Sequence, residues 1–143
     1  MTDFRPITDS LLASPQIELG DVQSAKEAGV TLIVNNRPDG EDPNAPQGDD
    51  IAAAAAAAGL GYVAIPITHA GFSEPQIGQM IDAMDKAEGK VLAYCRSGTR
   101  STLLWALAQA KSGAAPDDIA KAAMAGGYDV SPVRPMMDML AAR

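Results

Sequence analysis

The sequence predicts an α/β protein with a central, mostly parallel sheet of about four strands and with helices on both faces. Three runs, at residues 31–35, 62–67 and 91–94, are nearly continuous in apolar side chains, which is typical of strands covered on both faces. Helical patterns separate these runs, and strand–helix–strand units produce parallel strands through right-handed crossovers. A further run at residues 11–17 is expected to add an edge strand.

The alanine-rich segment at residues 52–58 is predicted to be a helix rather than a disordered tract. Alanine has the highest helix propensity, and Gly59 follows as a helix stop. Asp49 and Asp50 precede the segment, where negative charge is favourable at a helix N-terminus. A shorter helix is predicted at residues 21–28.

The second half of the chain shows further helix signals. Residues 73–76 read S-E-P-Q, which is the spacing of a capping box. Apolar side chains then repeat at i, i+3, i+4 and i+7, and they are Ile77, Met80, Ile81 and Met84. More helices are predicted from the apolar stripe at residues 103–108, after Pro116, and after a cap at residues 131 and 132.

Length and charge limit the classes of protein that fit. At 143 residues, the chain is predicted to form a single domain over residues 1–143. A formal net charge of -7 disfavours nucleic acid and anionic membranes as partners, because both bind basic surfaces. No apolar stretch is long enough to cross a bilayer, and the first residues lack the pattern of a signal peptide. A cytoplasmic location is therefore expected.

The chain has one cysteine, Cys95, and one histidine, His69. A lone cysteine forms no internal disulfide, and one Cys with one His cannot make a Cys/His zinc site. Neither a metal nor another cofactor is predicted. A lone cysteine is often a small buried apolar residue, but this one stands at a strand end beside Arg, Ser, Gly and Thr. These neighbours favour a reactive thiol.

The loops that follow the three strands are expected to meet, because the carboxyl ends of parallel strands lie at one edge of a sheet, where ligands bind. The first loop spans residues 35–41, the second residues 68–72 and the third residues 95–100. Their reactive and charged side chains are Arg37, Asp39, Glu41, His69, Cys95, Arg96 and Arg100. An acidic protein thus gathers three arginines, its cysteine and its histidine at one edge.

The loop at residues 95–100 reads C-R-S-G-T-R, the composition of an anion-binding nest. Successive N–H groups and the next helix N-terminus would keep Cys95 ionised and accessible at the lip of the loop. Gly98 allows a turn that a Cβ would obstruct. Arg100 offers a planar fork to an anion or braces the loop, and Ser101 caps the helix or donates to the sulfur. The predicted substrate-binding residues are Arg37, Arg96, Ser97, Gly98, Thr99 and Ser101.

This loop resembles the C-x4-R active-site loop of single-domain rhodaneses, and it is one residue shorter than the H-C-x5-R loop of protein tyrosine and dual-specificity phosphatases. Over its whole length the chain is similar to the beta-lactamase-hydrolase-like (BLH) phosphatase-like domains, whose members are described as candidate sulfurtransferases and candidate phosphatases. The matching segments are residues 14–17 (SPQI), 34–41 (VNNRPDGE), 61–66 (GYVAIP) and 95–106 (CRSGTRSTLLWA). The resemblance implies a dual-specificity-phosphatase-like fold and a catalytic domain.

Departures from the phosphatase pattern favour sulfur transfer. The loop that carries a general-acid Asp in such phosphatases reads I-T-H-A-G here, so His69 would supply the proton unless it is simply a solvated loop residue. Tyr94 replaces the usual His before the nucleophile, as in many rhodaneses. The shorter loop also has one amide fewer and encloses less space for an anion, and a persulfide's outer sulfur is smaller than a phosphoryl group. Asp39 or Glu41 is expected to orient Arg100 or act as acid/base, although turn chemistry alone also explains Asp39.

The leading prediction is an enzyme that passes sulfane sulfur through a Cys95 persulfide to a small thiol acceptor. The first alternative is a phosphatase that works through a cysteinyl-phosphate on Cys95. The predicted catalytic residues are Cys95, Arg100, Asp39 and His69. A third interpretation is a non-catalytic module that binds an anion or a protein. The expected partner is a small anionic substrate, either a sulfane-sulfur donor or a phosphoester, and the oligomeric state is left open.

Overall fold

A computed structural model describes residues 3–142, so residues 1, 2 and 143 of the predicted domain lie outside it. The strands are Arg5–Pro6 (β1), Leu11–Ser14 (β2), Val30–Asn35 (β3), Gly61–Ala64 (β4) and Lys90–Tyr94 (β5). The helices are Asp21–Glu27 (α1), Gly48–Ala58 (α2), Glu74–Lys86 (α3), Thr99–Lys111 (α4), Pro116–Ala125 (α5) and Arg134–Ala141 (α6). None of the helices in the described part of the chain combines the length and the apolar character of a membrane span.

The described strands form one sheet in the order β1-β2-β5-β3-β4. Strands β2, β5, β3 and β4 are parallel, and β1 pairs with β2 in the antiparallel direction. The predicted α/β class and mostly parallel sheet are confirmed. The run at residues 11–17 gives β2, which is not an edge strand because β1 covers its outer side. β1 is only 2 residues long, which is too short to produce a pattern in the sequence.

Two apolar clusters cover the two faces of the sheet. Residues of β5 alternate between them, with Val91 and Ala93 in one cluster and Leu92 and Tyr94 in the other. Helices α3 to α6 contribute to the first cluster, and α1 and α2 contribute to the second. This double coverage is the reason that the strands read as continuous apolar runs. Packing of α4 on the sheet fixes its N-terminus beside the end of β5.

Of the two helix caps that the sequence predicts, one is present. Ser73 and Gln76 form the predicted capping box at the start of α3. Gln47 and Asp50 form another at the start of α2. The predicted cap at residues 131 and 132 is wrong, because Ser131 begins a 3₁₀ turn and its hydroxyl donates to Asp129. Helix α6 begins only after this turn.

Strand β4 is shorter than the predicted run at residues 62–67. It ends at Ala64, and Pro66 follows at a position that faces the open side of this edge strand, because the Ile65 and Ile67 amides are the ones that donate toward β3. The chain still follows its neighbour beyond this point, since the Ile67 amide donates to the Asn36 carbonyl at 3.0 Å. The loops after β3, β4 and β5 therefore meet at one edge of the sheet.

Candidate active site

Gly98 is the residue that lets the chain turn from β5 into α4. It is the N-cap of α4 and has a φ of 91°, in the left-handed region that favours glycine. A Cβ at this position would overlap the hydroxyl of Tyr128 and lie 2.8 Å from its Cζ. The backbone conformation and the packing both require glycine here.

Cys95 is enclosed by its loop rather than exposed at the lip. The residue is 0% exposed, so the predicted accessibility of the thiol is wrong for this structure. Cys95 nevertheless belongs to neither apolar cluster, and its Sγ accepts a hydrogen bond from the Gly98 amide at 3.1 Å. The guanidinium of Arg100 is close enough to interact with this sulfur. One amide and one guanidinium therefore lie beside the sulfur.

The carbonyl groups of this loop are bound by other parts of the protein. The Arg96 carbonyl accepts from the Gln16 amide at 3.2 Å, and the Ser97 carbonyl accepts from the Tyr128 hydroxyl at 3.0 Å. The Gly98 carbonyl accepts hydrogen bonds from the first turn of α4. The carbonyls are therefore fixed by protein donors, and this fixes the plane of each peptide group in the loop.

The amide groups of the same segment are mostly unpaired. Within residues 3–142, no acceptor binds the amides of Arg96, Ser97, Arg100 and Ser101. The last two lie in the first turn of α4, where the helix offers no acceptor to its own N–H groups. Free amides in a loop with a left-handed glycine, followed by a helix N-terminus, are typical of anion-binding nests.

Arg100 is held by three hydrogen bonds that leave one edge of its guanidinium free. Nη1 donates to Glu41 Oε2 and to the Ile67 carbonyl, both at 2.9 Å, and Nη2 donates to Glu41 Oε1 at 2.6 Å. A guanidinium has five N–H donors, so Nε–H and one Nη2–H keep no oxygen acceptor among the described residues. These two donors lie side by side and can bind two oxygens of one anion. Arg100 thus connects the start of α4 to the loops after β3 and β4, and its free edge has the donors that a bound anion would need.

Glu41 links Arg100 to Arg37. Its Oε1 also accepts from Nε of Arg37 at 2.9 Å, and Nη1 of Arg37 donates to Gln16 Oε1 at 3.0 Å. The hydrogen bond from Arg100, followed by that from Arg37, lowers the pKa of Glu41 from its ordinary 4.5 to about 2. The pKa of Arg100 is raised in turn, by Glu41 above all and also by the Cys95 sulfur. Glu41 is thus the carboxylate that orients Arg100.

Replacing Glu41 with Gln is expected to lower the free energy of unfolding by about 1 kcal/mol or less at neutral pH, because its ion pairs are partly exposed. A carboxylate whose pKa falls on folding stabilises the protein above its ordinary pKa and loses this contribution as the pH drops toward 2. Urea unfolding of both proteins at several pH values between neutral and acidic checks this. A gap between wild type and variant that widens on acidification would contradict the ion-pair explanation.

Two open clefts meet at Arg100. The smaller has a volume of about 400 Å³ and is lined by Arg37, Glu41, Asp42, His69, Arg96 and Arg100. The larger, of about 660 Å³, shares Glu41, His69 and Arg100 and adds the apolar side chains of Pro38, Ile67, Phe72 and Leu103. The three loop arginines and the histidine therefore lie together, as the topology predicts.

Asp39 and His69 both border the larger cleft. Asp39 Oδ1 accepts from the Gly48 amide at 2.8 Å, so this carboxylate ties its loop to the start of α2 and does not orient Arg100. His69 is exposed and lines both clefts. Their catalytic roles stay predictions. In the part of the chain that the structure describes, no three His, Cys, Asp or Glu side chains cluster closely enough to hold a metal ion.

The loop hydroxyls differ from their predicted roles. Ser101 is fully buried, and its Oγ has no hydrogen-bond partner among the described residues, so it neither caps α4 nor donates to the sulfur. Gly98 holds the cap position instead, without a side chain. Ser97 Oγ donates to Thr99 Oγ1 at 3.0 Å and accepts from the Thr99 amide at 3.3 Å. The contact of Ser97 and Thr99 with a substrate stays a prediction.

Sequence reasoning missed Tyr128 and the role of Gln16. Tyr128 is buried, and burial raises the pKa of its phenol, so the hydroxyl keeps its proton and donates to Ser97. Gln16 contacts two loops, through its amide to the Arg96 carbonyl and through its side chain to Arg37 in the loop after β3. No local pattern identifies Tyr128. The only signal for Gln16 is its place in the segment at residues 14–17 that carries the family resemblance.

Replacing Gly98 with Ala is expected to lower the free energy of unfolding by about 2–4 kcal/mol, because the variant combines a left-handed residue with an overlap on Tyr128. Gly59 is the matched control: its φ is 81°, but nothing lies within 4 Å of its Cβ position. Gly59→Ala should therefore cost only about 1 kcal/mol. Urea unfolding of both variants measures the difference, and equal losses would show that Tyr128 does not restrict the loop.

Comparison with known families identifies the segment that carries this site. A model of the family described as "Beta-lactamase hydrolase-like protein, phosphatase-like domain" matches residues 3–112. A beta-lactamase hydrolase-like protein of Xylella fastidiosa is 35% identical over 125 residues, which is 87% of this chain and 29% of that protein. The chain thus spans less than a third of the length of this relative. Tyr128 lies beyond the segment that the family model matches.

Solved structures share the fold over almost the whole chain. The crystal structure of a candidate phosphatase from Neisseria meningitidis has a TM-score of 0.84 and 30% identity, and the match covers 98% of this chain and 99% of that one. The active form of Tk-PTP has a TM-score of 0.76 with 16% identity and covers 99% of this chain and 97% of that one. At such low identity the second likeness shows the fold alone. The phosphatase-like fold that the resemblance implied is confirmed.

Proposed function

Because the chain belongs to the phosphatase-like domain family of the beta-lactamase hydrolase-like proteins, we propose that it hydrolyses phosphomonoesters through a cysteinyl-phosphate on Cys95. The observation that supports this most is the set of free donors in the segment that follows Cys95, namely four amides and one edge of Arg100, among the described residues. A phosphoryl group presents three oxygens that need such donors. The similar structure from Neisseria meningitidis, a candidate phosphatase, supports the same chemistry.

In the first step the Cys95 thiolate attacks phosphorus, and the bond from phosphorus to the leaving oxygen breaks as the S–P bond forms. The free amides and the free edge of Arg100 stabilise the phosphoryl oxygens in the transition state. His69 gives its proton to the leaving oxygen. It is the better placed acid, because it lines both clefts beside Arg100, whereas Asp39 is bound to the Gly48 amide.

In the second step a water molecule attacks phosphorus, and the S–P bond breaks. Orthophosphate leaves and the Cys95 thiolate is restored. The neutral His69 left by the first step accepts the proton of the attacking water, so the proton count balances over the cycle. Glu41 acts through Arg100 in both steps, because it holds the guanidinium with its free edge available. Glu41 is therefore a positioning residue.

Sulfur transfer through a Cys95 persulfide is the second candidate. The four-residue spacing between Cys95 and Arg100 and the lack of an Asp at residues 67–71 favour it. The outer sulfur of a persulfide is a single atom, however, and it would leave most of the free amides and the free edge of Arg100 unsatisfied. The number of donors therefore favours a phosphoryl group over a sulfur atom.

Parallel assays of one enzyme preparation test this ranking. Hydrolysis of an aryl phosphate is measured beside sulfur transfer from thiosulfate and from glutathione persulfide. We expect phosphate hydrolysis that orthophosphate inhibits competitively, and slower sulfur transfer. Sulfur transfer that outpaces hydrolysis, with one added sulfur mass on Cys95, would reverse the ranking. If the protein binds anions but catalyses neither reaction, the non-catalytic binding module becomes the preferred function.

A further inference from the structure

One cleft beside the loop is cationic in a protein that is acidic overall. The chain has 11 Lys and Arg against 18 Asp and Glu, and its formal net charge is -7. Three arginines and the histidine nevertheless line the cleft of about 400 Å³ at Arg100, together with two carboxylates. Three positive charges against two negative ones leave this cleft at +1 with the histidine neutral. A positive cleft on a negative protein concentrates anions.

Within residues 3–142, Arg96 is the cation of this cleft whose side chain has no partner. Glu41 is shared between Arg100 and Arg37, at 2.6 and 2.9 Å. The other carboxylate, Asp42, forms no ion pair within residues 3–142. The Arg96 side chain is exposed, and among the described residues it makes neither a hydrogen bond nor an ion pair. The loop amides and Arg100, which would bind the first anion, therefore leave the positive charge of Arg96 available for another group.

The backbone of Arg96 is fixed although its side chain is free. Arg96 directly follows Cys95, and its carbonyl is held by the Gln16 amide at 3.2 Å. Arg96 lines the small cleft, while its backbone amide is one of the free donors of the loop. A substrate group that enters the small cleft would meet the Arg96 side chain, because Arg96 and Arg100 both line this cleft.

We infer that the substrate carries a second anionic group, a phosphate or a carboxylate, which Arg96 binds in the small cleft. This inference rests on the proposed function, because the first anion must occupy the loop amides and Arg100. A guanidinium suits the role, since its planar fork binds either group through two oxygens. A substrate without a second charge would leave Arg96 unused and would extend into the larger cleft toward Phe72 and Leu103.

Calorimetric binding of phosphonates, which the enzyme cannot hydrolyse, tests the inference. Methylphosphonate is compared with bisphosphonates and phosphonocarboxylates of increasing carbon spacing. At least one of the probes with two anionic groups is expected to bind wild type about tenfold or more tightly than methylphosphonate, the gain that a charge-assisted hydrogen bond provides. The two probe series distinguish a second phosphate from a carboxylate. Arg96→Gln should abolish the gain, whereas Arg134→Gln, which removes the same charge outside both clefts, should keep it.

The outcomes separate this inference from the proposed function. Equal affinity for probes with one and with two anionic groups overturns the inference that the substrate carries a second anionic group. It leaves in place the phosphoryl site formed by the loop amides and Arg100. A gain that survives in Arg96→Gln also overturns it, because another group then binds the second charge. If no phosphonate binds, the loop amides and Arg100 do not form a phosphoryl site, and both the proposed function and the inference of a second anionic group are overturned. Loss of the gain in Arg134→Gln as well would show that net charge, rather than a site, causes it.

Discussion

Replacing Cys95 with Ser is expected to lower kcat for aryl phosphate hydrolysis by at least about 10⁴-fold, because the reaction loses its nucleophile. Ser is close to Cys in size and fits the buried position, so the fold should persist. The free amides and the free edge of Arg100 remain in the variant. It should therefore still bind orthophosphate. Single-turnover kinetics and calorimetry of phosphate binding measure the two quantities separately.

Phosphate binding is the internal control for Cys95→Ser. A variant that neither turns over nor binds phosphate would indicate a damaged loop. Because Gly98 in this loop packs closely against Tyr128, such damage should also lower the thermal stability of the variant, which thermal unfolding measures. Turnover within about tenfold of wild type in a folded variant would show that another group attacks phosphorus.

Replacing Arg100 with Lys is expected to lower kcat/KM by about 10²–10³-fold, the usual effect of removing one preorganised oxyanion donor. Lysine keeps the charge but has no planar fork. It cannot bind Glu41 through two nitrogens, bind the Ile67 carbonyl and present two further donors at once. The loss should fall mainly on kcat, because the phosphoryl oxygens need these donors most in the transition state.

Arg134→Lys is the matched control for this substitution. Arg134 is likewise held by carboxylate groups, those of Asp117 and Asp138, but it lines neither cleft. The same change there should leave kcat and KM within about twofold, as is usual for a surface substitution. If Arg100→Lys were as active as Arg134→Lys, the free guanidinium edge would have no part in the reaction.

The sheet could be predicted from the sequence because burial on both faces determines strand composition. Val91 to Tyr94 are all buried, and their side chains alternate between two cores, which produces a continuous apolar run. β1 could not be predicted, since two residues carry no periodicity. The end of β4 could not be predicted, because both the apolar residues and the hydrogen bonds to the chain after β3 continue past Ala64.

The candidate site was predictable where its residues share one loop and not where distant parts of the chain support it. Topology alone brings Arg37, His69 and Arg100 together. Tyr128 and Gln16 contact the loop across long separations in sequence, and neither residue type is unusual there. The burial of Cys95 also escaped prediction, because it depends on how the loop folds back over the sulfur.

The chemistry was the least predictable feature. Loop length and the absence of an Asp near His69 favoured sulfur transfer from the sequence. The number of free donors depends on the hydrogen bonds of the folded loop, in which the carbonyls of Arg96 and Ser97 are bound and their amides are free. The family assignment and the candidate phosphatase from Neisseria meningitidis support the phosphoryl interpretation on independent grounds.

Trapping the covalent intermediate tests the central claim most directly. Wild type is mixed with excess aryl phosphate, quenched in acid during steady-state turnover, digested and analysed by mass spectrometry. The expected result is one phosphoryl group on the peptide that contains Cys95, absent from Cys95→Ser and formed fast enough to account for turnover. Turnover without this adduct, or a phosphoryl group on any other residue, would contradict the claim that the enclosed sulfur of Cys95 receives the phosphoryl group.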